Sequence, residues 1–262
     1  MVYSKVDPAG SNMAKVLRES FGFEETEELY DGVPICKKGD WTLVGIEPDI
    51  IYADGLDDRF DPDYYIFLSR HEGKGGIPTL SAHFTGNFSK AEFGGRDREL
   101  SYSYPSLHRL YLLELTGLKD RVKGYEIVTE PTHHGPTSLK KPLMFVEIGP
   151  SRENWLDLKA IEVMMEALIE AIRNVERRDD TGIAFGGPHY SKRFTEFLLR
   201  EFPLGHIAPK YALPHVDEEL LGQMIEKCVE GVRYAVVERK LGREKARILK
   251  LVEESGLELV RI

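Results

Sequence analysis

Cysteine, side-chain amides and long apolar runs are all scarce in this sequence. The two cysteines, Cys36 and Cys228, form no CxxC pair, so neither a thiolate zinc knuckle nor a redox dithiol is on offer. Both read as small buried apolar residues. No apolar run reaches the length of about 18 residues that a membrane-spanning helix needs. The N-terminal MVYSKVDPAG also lacks the apolar stretch of a signal peptide, so a soluble, cytoplasmic protein is expected. Glutamine occurs once, at Gln223, and asparagine four times, against 35 Lys and Arg and 44 Asp and Glu. Few labile amides beside abundant charge is the composition of heat-adapted proteins.

Familiar catalytic signatures are missing too. There is no GxSxG elbow, HExxH, GxGxxG or GxxxxGK[ST], and neither cysteine sits beside a histidine. A hydrolase built on this chain would therefore use water as its nucleophile, activated by zinc or by a base. The formal net charge of -9 excludes a non-specific nucleic-acid coat, which needs a dominant positive field. It leaves room for a small basic patch that holds one particular RNA.

What is present is ample for a core. The 262 residues are 42% apolar, and a folded monomer of this size should expose about 12,000 Å². Short apolar segments such as YYIFLS (Tyr64–Ser69), TLSAH (Thr79–His83), Tyr125–Thr129, Leu143–Ile148 and TGIAF (Thr181–Phe185) read as strands. They alternate with helical patterns: one through Phe21 capped by Ser11 or Asn12, Leu107–Leu115, one from Trp155 to Asn174 capped by Asn154, and Lys192–Glu201. Further helices are expected over Asp217–Val229 and Arg243–Glu253. The alternation predicts a single three-layer α/β/α domain over 1–262 around a mixed, mostly parallel central sheet. The Val33–Ile46 region and residues 84–104 look like additions to that core. Ligands of such sheets bind outside the carboxyl ends of the strands.

Five of the eight histidines fall just after strand-like segments: His71, His83, His133, His134 and His189. On this topology they converge at one rim of the sheet. The loop Glu130-Pro131-Thr132-His133-His134-Gly135-Pro136 is the sharpest local signal. Neighbouring residues of an extended chain point to opposite sides, so both histidines would not bind one ion unless the prolines and Gly135 bend the loop. Glu130 supplies a carboxylate for orientation or for general-base work. Glu147 lies on an otherwise apolar strand, where an unpaired charge is costly, and so requires a metal, a histidine or an arginine such as Arg152. Gly186-Gly187 allows close backbone approach to a ligand ahead of His189. Lys140-Lys141 and Lys192-Arg193 lie close in sequence to these histidines and are candidate phosphate contacts.

These segments together carry a resemblance. SKVDPAGSNMA, SAHFTGNF with AEFGG, EPTHHGP, VEIGPSRENW, AFGGPHYSKRFTE and GHIAPKYAL, in that order from Ser4 to Leu213, resemble the archaeal-type D-aminoacyl-tRNA deacylases. The resemblance implies a phosphorylase/hydrolase-like fold and zinc-dependent cleavage of the ester between a D-amino acid and the tRNA 3′ end, with one or two ions. It implies no membrane association and no obligate protein partner. Under it, His83, His133 and His189 are the expected zinc ligands, and His134 is a further ligand or a contact to the terminal ribose. Glu130 or Glu147 accepts the water proton or binds the substrate ammonium. Asn87 and the Gly186 and Gly187 amides hold the carbonyl or the terminal adenosine, and Lys140, Lys141, Lys192, Arg193 and His206 complete the substrate contacts. Two rival functions share these residues: a metal-dependent exopeptidase or amidohydrolase on the same fold, and an RNA-binding module without catalysis.

Overall fold

The computed structural model describes residues 1–73 and 76–262. The chain opens with β1 (Val2–Ser4), α1 (Pro8–Phe21), β2 (Glu24–Tyr30), β3 (Val33–Lys38) and β4 (Trp41–Ile46). β5 (Tyr65–Arg70) and β6 (Thr79–His83) follow, and residues 84–104 lead to α2 (Pro105–Gly117). Next come β7 (Glu126–Thr129), β8 (Leu143–Gly149), the one-turn α3 (Arg152–Trp155) and α4 (Leu158–Asn174). The chain closes with β9 (Thr181–Phe185), α5 (Lys192–Arg200), β10 (Leu204–Ala208), α6 (Glu218–Glu226), β11 (Val232–Val237), α7 (Lys245–Ser255) and β12 (Glu258–Arg261).

Eight strands form a large sheet in the order β2-β3-β4-β1-β5-β8-β6-β7. Its centre, β4-β1-β5-β8, is parallel, and helices flank it, as expected for this α/β class. β4 pairs directly with β1, so the Val33–Ile46 region belongs to the sheet rather than standing outside it. β2 had no apolar signal because EETEELY lies exposed on the sheet edge. A second sheet, β10-β9-β11-β12, is wholly parallel.

Local chemistry decides the helix ends. Asp7, not Ser11 or Asn12, caps α1: it accepts the Ala9 and Gly10 amides at 2.8 and 3.3 Å, and Pro8 at the first helical position has no N–H to satisfy. The helix expected from Trp155 is two. α3 ends at Trp155, and Asp157 then caps α4 through the Lys159 and Ala160 amides.

The period of two along each strand sorts the core. Ile66 and Leu68 of β5, Leu80 and Ala82 of β6, and Met144, Val146 and Ile148 of β8 pack with residues of α1, α2 and α4 in one apolar cluster. Phe67 and Phe145 point the other way, stacked at 4.8 Å, with Val2, Val44 and Ile50. That second face is where the polar residues of the same strands lie. The second sheet packs α6 and α7 against Ile183, Phe185, Ala235 and Val237. The accessible surface is 12,048 Å², in line with the expectation for a folded monomer of this mass. Among the described residues, no helix is long and apolar enough to cross a membrane.

Candidate active site

The register across three strands builds the floor of the site. Ser69 of β5, Glu147 of β8 and Ser81 of β6 are direct partners, and Phe145 pairs with His83. All five therefore project from the same face. β6 runs antiparallel to β8, so the carboxyl ends of β5 and β8 point opposite to those of β6 and β7. The expected single rim is thus replaced by a face on which these opposed strands overlap. His71 follows β5, His83 ends β6, Glu130, His133 and His134 follow β7, and His189 arrives from the second sheet after β9.

The histidines do converge. His83 and His133 rings lie 4.2 Å apart, His83 and His134 4.9 Å, His133 and His134 4.4 Å, and His133 and His189 4.8 Å. The obstacle of adjacent histidines is removed by the backbone of His134, whose φ of 43° is left-handed and brings both rings to one side. Gly135 then fits only as glycine, because a Cβ there would lie 2.2 Å from the Gly95 nitrogen. Its own N–H donates to the Phe93 carbonyl at 2.9 Å, so residues 84–104 clamp the loop from above.

Three histidines share one hydrogen-bonding pattern. His83 Nδ1 meets the Phe84 carbonyl at 3.0 Å, His133 Nδ1 the Pro131 carbonyl at 2.8 Å, and His134 Nδ1 the Gly135 carbonyl at 2.6 Å. A carbonyl only accepts, so each Nδ1 carries a proton, and in the neutral ring each Nε2 is left with its lone pair. His83 Nε2 is buried with no hydrogen-bond partner. Ligand atoms of His83, His133 and His134 form one group lying within 4.8 Å of one another. His71, Glu130 and His189 form a second, and His83, Glu130 and Glu147 a third that links the two. His189 therefore stands with Glu130, its Nε2 2.8 Å from Oε2, while His134 takes the place beside His83 and His133.

Charge balance points the same way. Glu130 and Glu147 are buried, and among the described residues no Lys or Arg forms an ion pair with either. Burial alone would raise Glu130, yet the His189 hydrogen bond and the charges of His83 and His71 hold it down at about 2. Glu147 is likewise kept ionised against burial by His71 and His83. Those two histidines are drawn up in turn, their burial outweighed by the carboxylates. Burial and then the neighbouring His83 push His134 down to about 4 and His133 well below the ordinary range. In this arrangement His71 and His83 balance the two buried carboxylates, while burial keeps His133 and His134 neutral. The same groups have the donor types that could hold a divalent cation.

The group opens into a cleft of about 730 Å³ lined by Arg70, His71, Asn87, His133, His134, Glu147 and His189, among others. His71 was the residue that sequence reasoning underweighted. Its Nδ1 is 3.4 Å from both Glu130 and Glu147, and its Nε2 meets the Tyr190 hydroxyl. Its position directly after the apolar strand β5 was the available signal. Ser81, donating to Glu130 Oε1 at 2.6 Å, was also missed.

Other candidates are placed elsewhere or otherwise engaged. His206 is fully buried, with Nδ1 on Thr132 Oγ1 at 3.1 Å and Nε2 on the Ser101 carbonyl at 2.9 Å, so it braces the loop and does not reach a substrate. The Gly186 and Gly187 amides already donate to the Ala208 carbonyl and to Glu238 Oε2, so neither is free for a substrate carbonyl. Asn87 lines the cleft, but its amide group ties down the Gly94 and Arg96 carbonyls. Lys141 pairs with Asp61 and Lys192 with Glu126, and neither these nor Lys140 or Arg193 lines the cleft. Arg152 is not the partner of Glu147; His71 and His83 are.

Carboxylates and imidazoles gathered at the floor of a cleft on an α/β sheet form a donor set that could hold a metal ion and that suits hydrolysis by water. Comparison with known proteins then narrows the class. The family model for D-aminoacyl-tRNA deacylase matches residues 58–260. The D-aminoacyl-tRNA deacylase of Cenarchaeum symbiosum is 38% identical over 255 residues, covering 97% of this chain and 96% of that protein. That of Pyrococcus horikoshii is 37% identical over 270 residues, covering 98% and 97%. A solved crystal structure of a conserved protein of unknown function superposes with a TM-score of 0.91 at 30% identity, covering 99% of this chain and 93% of that one. The chain belongs to the D-aminoacyl-tRNA deacylase family.

Proposed function

We propose that this protein hydrolyses the ester of D-aminoacyl-tRNA, releasing the D-amino acid and tRNA, with zinc held by Nε2 of His83, His133 and His134. The observation that carries the reading is the shared pattern of those rings: each gives its Nδ1 proton to a backbone carbonyl, and one ligand atom of each lies within 4.8 Å of those of the other two. Glu130, His71 and His189 would hold a second ion where two are bound. Bound zinc would supply Lewis acidity and lower the pKa of water.

The chain's own groups then divide the proton work. Glu130 Oε2, buried and held by His189 at 2.8 Å, accepts the proton of the attacking water. His189, at 2.8 Å from that oxygen and reaching into the cleft, passes a proton to the departing ribose oxygen. Glu147 orients His71 and His83.

The test is release of amino acid from D- and L-aminoacyl-tRNA, before and after chelation and after zinc is restored. Release of the D-amino acid is expected to stop on chelation and return with zinc, and Glu130→Gln is expected to slow it about 100-fold or more. Release that survives full metal removal sinks the zinc mechanism. Cleavage of free dipeptides with the tRNA ester untouched selects the exopeptidase, and tRNA binding without release selects the RNA module.

A further inference from the structure

Single exposed aromatics need no explanation, but two on one cleft do. Phe93 and Tyr211 are 64% and 62% exposed, and both line the cleft above the histidines. They come from opposite sides of the chain's organisation. Phe93 belongs to the 84–104 segment, and Tyr211 follows β10 of the second sheet.

Both backbones are held although both side chains are largely exposed. The Phe93 carbonyl accepts the Gly135 amide at 2.9 Å. Gly94, at φ 74°, lies so close beneath that an added Cβ would be 2.0 Å from the Ile51 carbonyl oxygen. The turn around it is closed by Arg98 N–H to the Ser89 carbonyl at 2.9 Å and Ala91 N–H to Asp97 Oδ1 at 2.7 Å. On the other side, the Lys210 amide donates to the Gly187 carbonyl at 3.0 Å, and the Ala212 amide to the Pro209 carbonyl at 2.8 Å. Each ring is thereby mounted on a loop that also positions a histidine of the site: His134 for Phe93, His189 for Tyr211.

Charge gives the complementary clue. The cleft lining has Arg70 and Lys90, but also Asp49, Glu72 and Glu92, so it offers no strong positive field. A polyanion entering it would gain little from phosphate contacts and much from flat apolar surface. We propose that Phe93 and Tyr211 are stacking platforms for the unpaired bases at the 3′ end of the nucleic-acid leaving group, placing its terminal ester over the histidine centre. The inference rests on the deacylase reading for its substrate, and goes beyond it by assigning the base-binding residues. Aromatic stacking tolerates any base and demands only rigid, exposed rings, which is what these loops provide.

Two measurements test it. First, kcat/KM is compared for D-aminoacyl-tRNA and for the methyl ester of the same D-amino acid in Phe93→Leu, Tyr211→Leu, Phe93→Trp and Tyr211→Phe. The ratio of the two is expected to fall about tenfold for each leucine variant, mainly through KM, and to be restored by the aromatic exchanges. Second, binding of an uncharged single-stranded oligonucleotide ending in CCA is measured between 50 and 200 mM salt. It should weaken about tenfold in each leucine variant and change less than about tenfold over the salt range. Equal loss on both esters, or no loss on either, overturns the stacking role. So does oligonucleotide binding that survives both leucine exchanges or that collapses steeply with salt. If the wild-type protein fails to cleave the tRNA ester, the deacylase reading fails, while the oligonucleotide measurement still decides the platforms.

Discussion

The two faces of β5, β6 and β8 are made from alternate residues of the same strands and do opposite things. One face carries Ile66, Leu68, Leu80, Ala82, Met144, Val146 and Ile148 under helices, and its contribution is burial. The other carries Ser69, Ser81, His83 and Glu147, with loops over it instead of helices. Polar groups are tolerated there because each is engaged with another: Ser81 with Glu130, His71 with Glu147, His133 with a backbone carbonyl. A sheet can thus be a stability device on one side and a chemical device on the other, with a one-residue step separating the two.

Adjacent residues of β6 give the sharpest way to break that contrast. Leu80→Ala on the helix face should cost about 2–5 kcal/mol of stability by urea denaturation, since Leu80 is fully buried. Deacylation per folded molecule should stay near the wild-type rate; a large loss would show that the faces are not independent. Ser81→Ala, one residue on, removes the 2.6 Å hydrogen bond to Glu130. It should cost only about 1–2 kcal/mol yet lower metal affinity or turnover about 10- to 100-fold, read by metal titration and single-turnover kinetics.

His206 sharpens the comparison at the smallest scale, because it is a histidine of the structural kind beside histidines of the chemical kind. Burial holds it down at about 3, against an ordinary value of 6.5. Its folded state therefore binds the proton less readily than the unfolded state. The stability it contributes is fully present above pH 6.5 and is lost progressively as pH falls toward its folded value, at about 1.4 kcal/mol per pH unit. In metal-free protein, the drop in unfolding free energy between pH 7 and pH 5 should be smaller in His206→Gln than in the wild type. Equal drops would mean that His206 is not the group responsible.

Much of this arrangement was legible in advance. The strands β5, β8 and β9, the amphipathic α4, and the unusual EPTHHGP loop all stand out from patterns within a dozen residues. Glu147 was legible as a carboxylate in need of partners because an isolated charge on an apolar strand is costly. Other features had no local signature. β2 is exposed and charged, and its pairing with β3 is not written in an apolar period. Lys140 and Lys192 are close to site histidines in sequence but do not line the cleft, since a turn of a few residues carries a side chain far away. His206 resembled its site neighbours in sequence context until Thr132 and Ser101 were seen to occupy both of its nitrogens.

The apolar strands, the amphipathic helices and the residue types needed for water activation follow from the chain alone, because short-range sterics and hydrophobic periodicity act between near neighbours. The direction of β6 against β8, the left-handed turn at His134 and the meeting of His189 with Glu130 arise from contacts between segments distant along the chain. Such contacts depend on how whole elements pack, and a single strand or loop holds no information about the partner that will close over it.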